Sequence, residues 1–127
     1  AAELARVLRP GARLALSDIT AHQDRLPAAL GGLGAWIACI ADARPLDGIA
    51  DIIADAGFAV ETVERHDEAL VALIERVTAR LHAARILGTT IDGLGERLDD
   101  AVEIARSASQ AAARGDLGYG VVIARRL

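Results

Sequence analysis

The sequence predicts an α/β fold, and three observations carry that prediction. First, the helix-spaced residues Leu4, Val7 and Leu8 are stopped by Pro10-Gly11, and the apolar run Leu14-Ala15-Leu16 follows almost at once. Second, the same order recurs in the middle of the chain: a helical pattern over 48–56, a glycine at 57, then an alternating segment, FAVETVER. Third, the chain closes on a β-branched run, Val121, Val122 and Ile123, after two long helical patterns. Helices alternating with short strands pack as layers over a sheet.

Taken in order, Pro10 and Gly11 end the first helix because proline cannot continue the ladder and glycine tolerates a turn. Leu14, Ala15 and Leu16 read as a strand buried on both faces, the kind found in parallel sheets, finishing at Ser17-Asp18. The carboxyl end of such a strand is where open α/β sheets bind ligands. The segment 20–34 reads as a polar loop, either closing over a ligand or forming a plain surface connection. The apolar stretch AWIACIAD reads as a core-facing helical turn, broken at Arg44-Pro45. Asp47 is placed to cap the next helix, whose apolar face is Ile49, Ile52 and Ile53 and whose end is a left-handed Gly57. Phe58, Val60 and Val63 are the apolar members of the strand that follows.

From Asp67 or Glu68 a long helix runs to about Leu87, with Leu70, Leu73, Ile74, Val77, Leu81 and Ala84 as its stripe. Gly88-Thr89-Thr90 breaks it. A second helix spans 92–114, with Leu94, Leu98, Ala101, Val102, Ala105, Ala108 and Ala112 inward and Gly115 as its cap. Two such helices joined by a short loop read as an antiparallel hairpin, and the alanines permit close approach.

Composition excludes several classes. Hydrophobic residues make up 53% and charged residues 25%, as in globular proteins. Aromatics are only 2%, so the core is aliphatic. A net charge of −4 argues against nucleic-acid binding. All 14 basic residues are arginine, which reads as a bias of the source genome. The single cysteine, Cys39, excludes an internal disulfide and a multi-cysteine zinc site, and points to a reducing, cytoplasmic setting. No apolar run approaches the roughly 20 residues that span a membrane, and no signal-peptide pattern is present. The chain opens on Ala1 inside a helix and holds no methionine, which points to a piece of a longer polypeptide.

The stretch ARVLRPGARLALSDI resembles the late helix-turn-strand of class I S-adenosylmethionine-dependent methyltransferases, where an LRPGG turn leads into the fifth strand. Here Ala12 stands for the second glycine of that turn. The middle block, SDITAHQDRLP through CIADARPLDGIADIIADAGFAVETVE, is similar to arsenite methyltransferases and their small-molecule relatives, and Cys39 falls at that family's cysteine. Arsenite capture needs several thiolates, because a soft ion wants soft ligands. One cysteine does not meet that need, so the resemblance carries architecture and not arsenic chemistry. Cys39 then reads as a buried structural residue.

The resemblance implies the C-terminal part of a class I, Rossmann-like sheet, its last strand antiparallel to its neighbours. Residues 1–66 would form the substrate-side half, 67–116 an inserted two-helix hairpin, and 117–127 the final strand. The implied cofactor is S-adenosylmethionine, bound by the whole protein. The Gly-rich loop and acidic residue that would hold it are not found in this chain. Gly31-Gly32-Leu33-Gly34 follows no buried strand, and Gly118-Tyr119-Gly120 reads as a bulge or turn. His22 is the candidate general base, with Ser17, Asp18, Trp36 and Cys39 as candidate substrate contacts. His66 reads as part of a surface turn and His82 as solvated. A small-molecule substrate, no nucleic acid, no membrane, and a homodimer through the 67–116 helices complete the expectations. The rival reading is a non-catalytic dimerising or ligand-binding module.

Overall fold

A computed structural model describes residues 1–31, 39–87 and 98–127. The elements in chain order are α1 (Ala2–Val7), β1 (Arg13–Ala21), α2 (Leu46–Asp55), β2 (Phe58–Arg65), α3 (Asp67–Leu87), α4 (Leu98–Ala113) and β3 (Leu117–Arg126). Two 3-10 turns, Gln23–Arg25 and Ala28–Gly31, follow β1. The strands form one sheet in the order β1-β3-β2, and β3 runs antiparallel to both neighbours.

The turn into β1 follows from Pro10-Gly11. Ala12 N–H donates to the Arg9 carbonyl at 3.0 Å and Gly11 has φ +80°, which makes a type II turn with proline and glycine in their preferred places. The turn is then tied to the last strand: Gly11 N–H donates to the Arg126 carbonyl at 2.7 Å, and Arg126 N–H to the Ala12 carbonyl at 2.8 Å.

The two sheet faces divide by residue parity, as a pleated strand requires. Leu14 and Leu16 pair with Ala124 and Val122 and face α2, where Leu46, Ile49, Ile53 and Phe58 complete the layer. Ile19 and Ala21 pair with Tyr119 and Leu117 and face the opposite way, under Leu70, Ala108 and Ala111 of the long helices. Leu70 near the start of α3 shares that cluster with Ala111 near the end of α4. Arg85 near the end of α3 pairs with Asp99 at the start of α4 at 3.6 Å. The helices are therefore an antiparallel hairpin laid on the sheet, with the small Ala105, Ala108 and Ala111 buried.

Gly115 (φ +76°) ends α4 with a full Schellman motif: its N–H donates to the Ala112 carbonyl at 3.0 Å, and Asp116 N–H to Ala111 at 2.9 Å. Gly57 (φ +90°) ends α2, and a Cβ there would lie 2.8 Å from Nη1 of Arg126. Arg126 is a clamp. Its Nη1 donates to the Gly57 carbonyl at 2.7 Å, its Nε to the Ala5 carbonyl at 3.1 Å, and its guanidinium lies 5.8 Å from the Phe58 ring centre. Gly57→Ala is expected to cost at least about 1–2 kcal/mol from the left-handed backbone alone. Urea denaturation against the parent chain measures it.

Several expectations are corrected. β1 is not buried on both faces. Leu14 and Leu16 are half-buried, while Ala15, Ser17 and Asp18 are exposed, because the hairpin covers only the Ile19–Ala21 end of its face. Among the described residues, the ladder partner of β1 is the antiparallel β3, on one edge of the strand. The strand does not finish at Asp18 but continues through Thr20 and Ala21, both buried. Asp47 does not cap α2. Pro45 is the N-cap and Asp47 lies in the first turn, with no side-chain cap bond. Ile52 is 40% exposed, unlike the buried Ile49 and Ile53. Val63, Leu73 and Val77 are also exposed, on flanks that no described element covers.

Gly118-Tyr119-Gly120 is regular ladder, not a bulge or turn. The irregularity lies in β2, between Val60 and Thr62. The glycines answer to close approach instead: a Cβ on Gly120 would strike the end of Leu46, and one on Gly118 would strike the Asp67 carboxylate. Cys39 is exposed and has φ +59°, so it is not a buried structural residue. The rest of the turn expected around it, including Trp36, lies outside the described residues, as does Gly88-Thr89-Thr90.

Candidate functional site

The ligand-binding end expected for β1 is built around one proline. Pro45 pushes Arg44 into an extended conformation. An extended Arg44 forms a parallel bridge to Thr20, and its carbonyl accepts from Ala21 N–H at 3.0 Å. The segment Asp42–Arg44 is thereby held against the end of β1. Gln23 completes the junction. Its Nε2 donates to the Ile40 and Ala43 carbonyls, both at 2.8 Å. From the other side, His22 N–H donates to the Asp116 carbonyl at 3.0 Å, tying the strand end to the cap of α4.

Two hollows open beside this junction, and Asp42 and Arg44 line both. The larger, about 430 Å³, is lined by His22, Gln23, Asp24 and Pro45 as well. The smaller, about 220 Å³, is lined by Leu4, Leu16, Asp18, Ile49 and Ile52. Both hollows mix the charged Asp42 and Arg44 with apolar wall, and Leu4, Leu16, Ile49, Ile52 and Ile53 give the smaller one its aliphatic side. A small molecule with a polar head and an apolar body matches that mixture.

Of the residues singled out from sequence, Asp18 and His22 come to opposite sides of the Asp42–Arg44 segment. They do not act as a pair. Asp18 Oδ1 accepts from the Ile19 N–H at 2.8 Å, and among the described residues no hydrogen bond joins it to His22. Ser17 sits on the other sheet face, opposite Val121, and lines neither hollow. Cys39 lines neither. Trp36 lies outside the described residues. His66 is half-buried, with Nε2 3.1 Å from a Glu64 carboxylate oxygen, and His82 is exposed as expected.

Sequence reading missed Gln23, Asp42, Arg44 and Asp116. Arg44-Pro45 did carry a usable signal, since the residue before proline favours extended backbone. Gln23 carried none, because its partners lie 17 and 20 residues away.

Among the described residues, no group of three His, Cys, Asp or Glu side chains is placed to hold a metal ion. Among the described residues, no helix is long and apolar enough to cross a membrane. A nucleotide-type cofactor needs a strand that passes through a glycine-rich loop into a helix N-terminus. Among the described residues, the strand-to-helix connection from β2 to α3 is His66 alone, and α3 opens with Asp67 and Glu68. These residues do not fit S-adenosylmethionine.

No family model and no curated protein matches the chain. Solved structures do. The [4+2]-cyclase SpnF matches 98% of this chain and 43% of its own, at 19% identity and a TM-score of 0.67. The cyclopropane synthase MmaA2 from Mycobacterium tuberculosis matches 98% of this chain and 48% of its own, at 13% identity and a TM-score of 0.76. Phosphoethanolamine N-methyltransferase 2 from Haemonchus contortus, in complex with S-adenosyl-L-methionine, matches 98% of this chain and 28% of its own, at 17% identity and a TM-score of 0.68. The chain thus spans under half the length of these neighbours, and the match takes in the hairpin as well as the sheet. Its fold is the α/β fold of class I methyltransferase structures. At such low identity the likeness concerns the fold, and a fold hosts many activities.

Proposed function

We propose that this chain is the substrate-side part of an S-adenosylmethionine-dependent methyltransferase acting on a small molecule, with the cofactor-binding half outside it. One observation supports this above the rest. Among the described residues, the outer edge of β1 carries no ladder partner from Arg13 to Ile19, and a hollow lined by Leu4, Leu16, Ile49 and Ile52 with Asp18, Asp42 and Arg44 lies beside it. An unpaired, partly apolar edge is a place where a sheet continues, because natural edges are otherwise shortened or charged. The neighbours are more than twice this length, which leaves room for further strands.

In this reading Asp42 and Arg44 orient the polar end of the substrate, and His22 stands beside it as a base or hydrogen-bond partner. Methyl transfer asks for little else, since alignment of donor and acceptor and exclusion of water dominate the barrier. The arsenite branch is not favoured, because Cys39 stands alone.

Calorimetric titration of S-adenosylmethionine tests the proposal on two polypeptides: this chain, and one extended upstream to the neighbours' length. The expected result is no binding by the chain and micromolar binding by the extended form. Tight binding by the chain itself sinks the division of labour proposed. Binding by neither favours the second reading, a non-catalytic module that keeps the hollow at β1 for a ligand.

A further inference from the structure

We infer that the outer face of the α3–α4 hairpin docks a second copy of this chain, through an antiparallel, two-fold pairing of α3 centred between Thr78 and Ala79. The face is a groove of about 500 Å³ between the helices, and Ile74 at its base also packs against the sheet cluster. Ile74, Ala79 and Val102 line it, flanked by Glu75, His82 and Arg106. Thr78 adds little polarity, because its hydroxyl donates to the Ile74 carbonyl at 2.8 Å.

Along α3, Val71, Glu75, Thr78, Ala79, His82 and Ile86 recur at three- and four-residue steps, so they share one stripe. Val71 is 38% exposed and Ile86 is 85% exposed, an unusual cost for an aliphatic side chain in solvent. Glu75 and His82 are both exposed, and neither takes part in an ion pair or side-chain hydrogen bond among the described residues. Arg106 is turned to Glu103, which accepts from its Nε at 3.0 Å and its Nη2 at 2.6 Å.

The stripe is complementary to itself when reversed. A two-fold axis between Thr78 and Ala79 sets Val71 against the partner's Ile86 and Glu75 against the partner's His82, and repeats both pairs on the other side. The small Thr78 and Ala79 fall at the crossing, where the backbones come nearest. The paired stretch is about 22 Å long at the helical rise. Each copy thus sets an apolar side chain against an apolar one and the Glu75 carboxylate against an imidazole N–H, the condition for an isologous interface. This docking is independent of the reaction proposed above, because it uses no residue of either hollow at β1.

Sedimentation equilibrium over a concentration series tests it. The expected parent result is a mass approaching twice 13.2 kDa as concentration rises. Ala79→Arg places a large charge at the crossing and should abolish association. His82→Glu sets like charges opposite Glu75 and should weaken association by about tenfold or more. The double variant Glu75→His with His82→Glu restores opposite groups at each contact and should recover most of the parent affinity. All these positions are exposed, so circular dichroism is expected to be unchanged and confirms folding in each case. A parent chain that stays monomeric throughout overturns the inference. So does a dimer that tolerates both Ala79→Arg and His82→Glu, or a double variant no better than the single one.

Discussion

Leu117→Ala is expected to lower stability by about 2–5 kcal/mol, and the melting temperature by roughly 10–20 °C. Leu117 is 1% exposed and stands where three parts of the chain meet. It pairs with Ala21 across the sheet, and shares a cluster with Leu70, Ala108 and Ala111 of the hairpin and with Leu30 and Ile40 of the connection after β1. Removing its branched end leaves a cavity between rigid elements that cannot all close on it, so the cost belongs in the upper part of the range for buried leucines. The hairpin and the strand end should loosen together. Hydrogen exchange should therefore speed up in α4 and at Thr20–Ala21, while α2, under a separate cluster, keeps its protection. Equal loss in α2 would mean that the two faces of the sheet are not independent.

Gly118→Ala is expected to cost about 2–4 kcal/mol, although it adds only one methyl group. That methyl would strike the Asp67 carboxylate and come within 3.0 Å of Thr20 Oγ1 and 3.2 Å of Arg65 Nη2. Asp67 cannot simply turn away. Its Oδ1 accepts from Tyr119 N–H at 3.1 Å, and its Oδ2 accepts from Arg65 Nε at 2.9 Å. The new methyl therefore breaks the joint between β3 and the first turn of α3. Gly48→Ala is the control. Nothing lies within 4 Å of a Cβ there, and the site is inside α2, so that change should stabilise by about 0.5–1 kcal/mol. Chemical denaturation of the two variants side by side settles whether contact or glycine entropy governs each position.

The element boundaries were largely legible. The Pro10-Gly11 turn, the Gly57 and Gly115 caps, the strand over 58–65 and the start of the long helix at Asp67 all stand where the residues place them. Each depends on a rule acting within a few residues, such as proline's missing N–H or glycine's access to positive φ. The site was legible only in part. Asp18 and His22 border hollows at the end of β1, but Ser17 does not, because a one-residue step along a strand turns the side chain to the other face. Gln23 joins the site through hydrogen bonds to residues 17 and 20 positions away, which no local pattern encodes.

What the sequence determined by itself was the order of helices and strands, the aliphatic character of the core, and the exclusion of disulfide and cysteine-rich zinc chemistry. What only the tertiary structure decided was which apolar residues are covered. Leu70 and Leu73 look alike in the helical repeat, yet Leu70 is 5% exposed and Leu73 is 47% exposed. The exposed Cys39, the open edge of β1 and the unpaired stripe on α3 belong to the same class of outcome. Periodicity sets which side chains share a face, but burial depends on what packs against that face, and that is a property of contacts distant in sequence.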